Sequence, residues 1–480
     1  MEISENKVRS IVEDVVSRVI SQQGQLDNAL NFSKPIPPKE IGVFDDLEQA
    51  TLAAKTAYEE FKAYSVSDRN RIIESIRNNC RKHVEILARM AVDETSFGRY
   101  EDKINKNNLV IDKTPGTEDL ISKSYSGDQG LVLWERGPFG VIGSITPCTN
   151  PTETIICNGI GMIAGGNSVI FCPHPLAKNV SVYCISVINE AIVNAGGPRN
   201  LMVTLRNPSI ETAQSLMTHK LIKLLVVTGG PDVVKKAMTS GKKVIGAGPG
   251  NPPVVVDETA NIIKAGRDIV LGASIDNNII CTAEKEVFVV ASVADELKKQ
   301  MCHNGAYEVK SYNLKKLEQL VLLENKGHRR HSVVNKKWVG KDAAVILKEI
   351  GIEVDSSIRL IICEVPEEHA FVWSELLMPV MAIVRVPDVD RAIALAVEAE
   401  HGFGHTASMF SQNIEKITKM SKLINTSIFV TNGPTYSGLG LGGEGYTSFT
   451  IASPTGEGLT SAKNFTRERR ITMVNTMRMV

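Results

Sequence analysis

The chain has no excess of either charge. Lys+Arg and Asp+Glu number 54 each, so there is no basic field to hold nucleic acid or an anionic membrane. It has no C-x-x-C pair, and its cysteines (Cys80, Cys148, Cys157, Cys172, Cys184, Cys281, Cys302 and Cys363) form no Cys/His cluster with zinc-ligand spacing. That pattern points to reduced thiols in a reducing compartment and to no structural metal. No apolar run approaches the roughly 18 residues a membrane span requires. Glu2 and Glu5 stand where a secretory signal would place an apolar core, so secretion is not expected. There is no G-x-x-x-x-G-K-[ST], which excludes P-loop chemistry. The G-x-G-x-x-G pattern, met by Gly440 to Gly445 and by the overlapping Gly438 to Gly443, leads into Tyr446-Thr447-Ser448-Phe449-Thr450 and not into a helix. It reads as a flexible substrate-side loop, not a dinucleotide loop. His401-Gly402-Phe403-Gly404-His405 has too much glycine to be a metal-binding helix and reads as a tight loop beside an active site.

What is present is an ordinary soluble composition, 43% hydrophobic and 22% charged over 480 residues, long enough for about two or three domains. Val8, Ile11, Val12, Val15, Val16, Val19 and Ile20 recur at helical spacing against a polar face, predicting an amphipathic helix over 1–20. Gly24, Pro35, Pro37 and Pro38 mark 21–40 as a linker, and its isolation favours a helix that docks on another protein over one packed on its own domain. Residues 41 to about 124 read as amphipathic helices. From Phe139 to Val256 short apolar runs (Val141–Ile145, Ser168–Cys172, Leu201–Thr204, Leu224–Val227) alternate with helical stretches, the pattern of a parallel α/β sheet. A second α/β unit runs from about Glu258 to Asn432. Gly130–Arg136 and Arg470–Val474 read as peripheral strands, suited either to an oligomer contact or to capping their own domain.

Cys281 is the most informative residue. It sits in a short polar loop, after Asp276-Asn277-Asn278 and before Thr282-Ala283-Glu284-Lys285 and the strand-like Val287–Val290, where a thiol can meet a substrate. Most of the other cysteines lie inside apolar runs, as a small hydrophobe would.

Its company extends the reading. Thr146-Pro147-Cys148-Thr149-Asn150-Pro151, Gly165-Gly166-Asn167-Ser168, Pro173-His174-Pro175, Thr228-Gly229-Gly230, Gly246 to Pro253, the Cys281 loop and Glu375 to Val380 occur in order across the chain. With them, the sequence resembles the aldehyde dehydrogenase superfamily over nearly its whole length. Within that superfamily it is most similar to the CoA-acylating propionaldehyde/acetaldehyde dehydrogenases of bacterial microcompartments. The resemblance implies an α/β fold with a Rossmann-like NAD/CoA-binding domain over 41–255, carrying an oligomerisation strand near 125–137. It further implies a catalytic α/β domain over 256–435 and a C-terminal loop and oligomerisation segment over 436–480. It makes Cys281 the nucleophile and gives Asn150 and the Cys281 backbone N–H the oxyanion of the attacked aldehyde. Cofactor contacts are expected from Thr146, Pro147, Pro173, His174, Thr228, Gly229, Gly230, Gly246, Ala247, Gly248 and Glu375, the last on the nicotinamide ribose. No metal is expected.

Two departures from the wider superfamily carry chemistry. Hydrolytic members place a water-activating glutamate where this chain has Gly246. Water, with a pKa of about 15.7, needs such a base, whereas a thiol near 8.5 ionises usefully unaided. The acyl-enzyme is therefore biased towards coenzyme A. The usual adenosine-side lysine is also replaced, within Phe171-Cys172-Pro173-His174-Pro175. The resemblance thus implies NAD and CoA as cofactors, a short aliphatic aldehyde (propionaldehyde or acetaldehyde) as substrate, and a homo-oligomer, dimer or tetramer. It implies a location in the bacterial cytoplasm, inside a microcompartment whose shell protein meets residues 1–20. The alternative is a hydrolytic aldehyde dehydrogenase giving the free acid. A redox-free cysteine acyltransferase or hydrolase would want a histidine base, and none is evident near Cys281 in sequence.

Overall fold

A computed structural model describes residues 38–478. The helix and most of the linker expected over 1–40 lie outside the described residues.

Two wholly parallel sheets organise the rest. The first has six strands in the order Val43–Phe44, Met202–Leu205, Ser168–Pro173, Val141–Thr146, Ile222–Thr228 and Lys243–Ala247. The second has seven, in the order Ala306–Glu308, Leu360–Glu364, Val380–Val386, Glu286–Val290, Pro253–Val256, Thr406–Phe410 and Ile428–Thr431. Strands of such sheets are covered on both faces and so read as continuous apolar runs, not alternating ones. Val141–Thr146 and Ser168–Pro173 are buried at every position. Helices Val66–Thr95, Pro151–Ala164 and Lys178–Asn194 pack the larger core around Ile72, Ile76, Ile160, Phe171 and Ile188.

The stretch expected to be helical from 41 opens instead with the strand Val43–Phe44, which adds to the first sheet through Thr204 and Leu205. Two residues are too short to leave a periodic signal. The division between the sheets also falls earlier than residue 255. Pro253–Val256 already belongs to the second sheet, paired with Glu286–Val289, so the crossover is the glycine-rich turn Gly248–Asn251.

A third, antiparallel sheet joins Lys123–Gly127, Gly130–Pro138 and Thr466–Val474. The two peripheral strands read from sequence pair with each other, Arg470 opposite Trp134 and Val474 opposite Gly130. Most of this ribbon is exposed, including Tyr125, Ile471 and Val474. The Gly440–Gly445 segment, expected to be flexible, follows the short 3-10 helix Thr435–Leu439 and is tied down. Lys113 Nζ donates to Gly440 O at 2.6 Å and to Gly443 O at 2.9 Å.

Candidate active site

Four neighbouring strands of the first sheet end side by side, and their C-terminal ends carry most of the expected cofactor residues. Ser168–Pro173 leads to His174, Val141–Thr146 to Pro147, Ile222–Thr228 to Gly229-Gly230, and Lys243–Ala247 to Gly248. The crest of a parallel sheet is where such folds hold ligands. Main-chain bonds knit it together: His174 N–H donates to Thr146 O at 3.1 Å and Gly229 N–H to Ala247 O at 3.3 Å. The Thr228 and Thr450 hydroxyls are 2.8 Å apart. Helix Pro231–Met238 starts at Gly230 with no side-chain cap, and the space a Cβ of Gly230 would enter is open. An uncapped helix N-terminus with open backbone beside it suits a phosphate group. Gly246 differs: it is buried, its N–H donates to Thr455 Oγ1 at 3.0 Å, and a Cβ there would stand 2.8 Å from Val234 Cγ1.

Cys281 lies between helix Ile262–Ser274 and strand Glu286–Val290. The loop reaches it through three consecutive left-handed residues, Asp276, Asn277 and Asn278, at φ 47°, 53° and 64°. Asp and Asn tolerate this region better than other residues with a Cβ, and here each side chain is also tied. Asp276 Oδ1 accepts the Arg99 N–H at 2.7 Å. Asn277 Nδ2 donates to Gly340 O at 2.9 Å, and Asn278 Nδ2 to Ala273 O at 2.7 Å and Glu284 O at 2.9 Å. Buried Lys285 closes the loop, its Nζ donating to Asn278 Oδ1 at 2.5 Å, Asn278 O at 3.1 Å and Ile280 O at 3.2 Å. Strained backbone held by several independent bonds is a feature of functional loops. Cys281 itself is half-buried. Burial, with Glu375 adding to it and Lys285 opposing, pushes the thiol up to about 12.

Asn150 begins helix Pro151–Ala164, next to the strand end at Thr146. Its Oδ1 accepts from Lys106 Nζ at 2.6 Å, and its Nδ2 has a 3.3 Å contact to Thr149 Oγ1. Glu375 comes from the loop before strand Val380–Val386. Its Oε1 accepts the Gly250 N–H at a long 3.4 Å, and its own N–H donates to His331 Nε2 at 3.2 Å. Burial raises its carboxyl to about 7, against the pull of Lys285 and the Gly250 N–H.

Several residues of this site carry no sequence signal. Lys103 and Lys106 are fully buried with Asp276 and Glu153. A Cβ at Gly250 would meet both Cys281 O at 2.8 Å and the His405 ring at 3.0 Å, so His405 borders the Cys281 backbone. Its Nδ1 is 2.9 Å from Thr406 Oγ1, its Nε2 has no hydrogen-bond partner among the described residues, and burial, with Lys285 adding, lowers it to about 4. The His401–His405 loop therefore borders Cys281, and a neutral imidazole is present there, although no histidine lies near Cys281 in sequence. Among the described residues no group of His, Cys, Asp and Glu is arranged to hold a metal ion.

Two crested parallel sheets, a thiol on a strained loop and an amide donor at a helix start are the parts of a covalent aldehyde-oxidising enzyme. The Aldehyde dehydrogenase family model matches residues 42–460, and the chain belongs to that family. It is 51% identical to acetaldehyde dehydrogenase (acetylating) EutE of Escherichia coli K12, over 92% of this chain and 94% of that one. It is 44% identical to a propanal dehydrogenase (CoA-propanoylating) of Salmonella typhimurium LT2, over 97% and 98%. Among solved structures it is similar to Rhodopseudomonas palustris propionaldehyde dehydrogenase with bound CoA and an acylated cysteine. There the TM-score is 0.89 and the identity 52%, covering 92% of this chain and 99% of that one. A propionaldehyde dehydrogenase from the Clostridium phytofermentans fucose utilisation bacterial microcompartment gives TM-score 0.89 and 49% identity, over 92% and 100%.

Proposed function

We propose that this enzyme oxidises a short-chain aldehyde, propionaldehyde or acetaldehyde, with NAD and passes the acyl group to CoA. Cys281 Sγ, having released its proton to solvent, attacks the carbonyl carbon as thiolate, forming a C–S bond as the C=O π pair moves onto oxygen as negative charge. The Asn150 NH₂ and the Cys281 backbone N–H are the donors proposed for that charge. The residues at the strand crest fit a dinucleotide: the uncapped start of Pro231–Met238 offers its N–H groups to a phosphate, and Thr146, Pro147, Pro173, His174, Thr228, Gly229 and Gly230 line the same edge. When bound there, the nicotinamide supplies the hydride acceptor that turns the thiohemiacetal into a thioester. Glu375 would orient the ribose beside it. The CoA thiol then attacks the thioester carbon, a new C–S bond forms, and Cys281 leaves as thiolate and regains its proton.

The observation that carries CoA over water is Gly246, with Ala247 and Gly248 completing the strand end. No carboxylate projects from that position, and the direction its side chain would take is filled by Val234 and Thr455. Wild-type enzyme given acetaldehyde, propionaldehyde or butyraldehyde should form acyl-CoA and reduced cofactor only when CoA is present. Free acid as the main product with CoA present would reject the reading, as would turnover by Cys281→Ala.

Two further assignments rest on sequence and relatives. Residues 1–20 are proposed to dock the enzyme, as microcompartment cargo in the bacterial cytoplasm, on a shell protein. Deleting them should leave soluble activity intact and abolish shell association. The exposed edges of the antiparallel ribbon, with Tyr125, Ile471 and Val474 outward, suit a contact between copies of the chain in a homo-oligomer.

A further inference from the structure

Four ionic side chains lie under the site with almost no exposure: Lys103 and Lys106 from helix Tyr100–Lys113, Glu153 from helix Pro151–Ala164, and Asp276 from the Cys281 loop. Lys106 is the hub. Its Nζ is 2.5 Å from Asp276 Oδ2, 2.9 Å from Glu153 Oε1 and 2.6 Å from Asn150 Oδ1. Of the three, the contact to Asn150 Oδ1 has hydrogen-bond geometry, while those to Asp276 and Glu153 are ion pairs; an ammonium has three donors and no acceptor. Lys103 Nζ sits 3.1 Å from the same Asp276 oxygen and 3.3 Å from Thr149 O.

The third contact has a directional consequence. A carboxamide can present either its oxygen or its NH₂ to a given neighbour. An ammonium 2.6 Å away accepts only the oxygen, because an NH₂ there would set donor against donor. Lys106 therefore fixes which end of Asn150 faces inward and turns the NH₂ to the other side. The same ammonium grips Asp276, the first of the three left-handed residues that carry the chain to Cys281.

We propose that Lys106 is a positioning residue for catalysis: it locks the Asn150 amide so that its NH₂ faces the substrate oxygen, and ties that donor to the nucleophile loop through Asp276. The inference rests on Asn150 serving as the oxyanion donor. Lys106 touches neither substrate nor cofactor and acts only through Asn150 and Asp276.

A double-mutant cycle on the full chain tests it, using Lys106→Met, Asn150→Ala and the pair. Lys106→Met should lower kcat by about 10²–10³-fold, the loss typical of one oxyanion donor, with KM for the aldehyde little changed. Asn150→Ala should cost a similar factor, and adding Lys106→Met to it should cost little more, because the lock then has nothing to hold. Lys106→Met leaves Glu153 and Asp276 facing Lys103 alone, a buried imbalance that endangers folding. Glu153→Gln with Lys106→Met restores one cation to one anion and should fold while showing the same loss in kcat. Wild-type kcat in that charge-balanced variant, or fully multiplicative losses in the cycle, would overturn the proposal. If Asn150→Ala alone left kcat unchanged, the fault would lie with the oxyanion assignment and not with the lock.

Discussion

A methyl group on Gly250 would stand 2.8 Å from the carbonyl oxygen of Cys281. The glycine is there because the Cys281 backbone passes directly over it, with the His405 ring 3.0 Å away on the same side. Neither neighbour is the loose end of a flexible chain. Gly250→Ala should therefore push the Cys281 loop out of place. A displacement near 1 Å can cost about 10²-fold in rate, and overpacking costs about 1–3 kcal/mol. Steady-state kcat and thermal melting of this variant check both; wild-type kcat would mean the loop has slack.

The Cys281 thiol titrates high because it is buried, with the Glu375 charge adding to the effect. In the free enzyme its alkylation by iodoacetamide should rise about tenfold per pH unit from pH 7 to 10 without levelling off, since thiolate is the reacting species. Glu375 is itself raised to about 7, so its charge is present mainly above that pH. Glu375→Gln removes a nearby negative charge and should lower the thiol's pKa. It should speed alkylation clearly at pH 8.5 and little at pH 6. A plateau below pH 9 in the wild-type enzyme would contradict the burial argument.

Glu284 gives a stability prediction with a definite sign. Burial raises it from 4.5 to about 7, against the Thr435 N–H and Lys285, and its Oε2 has no hydrogen-bond partner. Between those values the folded chain holds a proton that the unfolded chain has lost. Its stabilising contribution is full below about pH 4.5 and is lost as pH rises through 7, by on the order of 3 kcal/mol. Glu284→Gln keeps an oxygen for Thr435 and cannot ionise. Its melting temperature should fall less between pH 5 and pH 8 than that of the wild type; identical slopes would remove Glu284 from the account.

Gly246→Glu asks whether hydrolysis can be restored. The strand end is closed by Val234 and Thr455, so the new side chain has no path along that direction. The expected result is a lower melting temperature and no gain of free acid over acyl-CoA. A shift to free acid would mean the packing yields and that the glycine alone sets the acceptor.

The strands were legible because both their faces are buried, which makes them uninterrupted apolar runs flanked by turn residues. The strand Val43–Phe44 was not, being two residues long. Cys281 stood out because it is a thiol in polar company. Lys103 and Lys106 did not, since an amphipathic helix gives no sign of burying its lysines and the acids that neutralise them come from distant segments, Glu153 and Asp276. His401–His405 reads from sequence as a tight loop beside an active site, without showing which residue it meets. Its place beside Cys281 is set by Gly250, which only the fold brings between them.

The ribbon strand Thr466–Val474 runs its full nine residues along Gly130–Pro138. During synthesis the earlier strand is made with only Lys123–Gly127 beside it and one row of peptide groups bare. That row stays open until Thr466–Val474 has been made. A chain in which Thr466–Val474 is missing or not yet made thus offers a sticky margin to its neighbours, so this one strand guards against clumping.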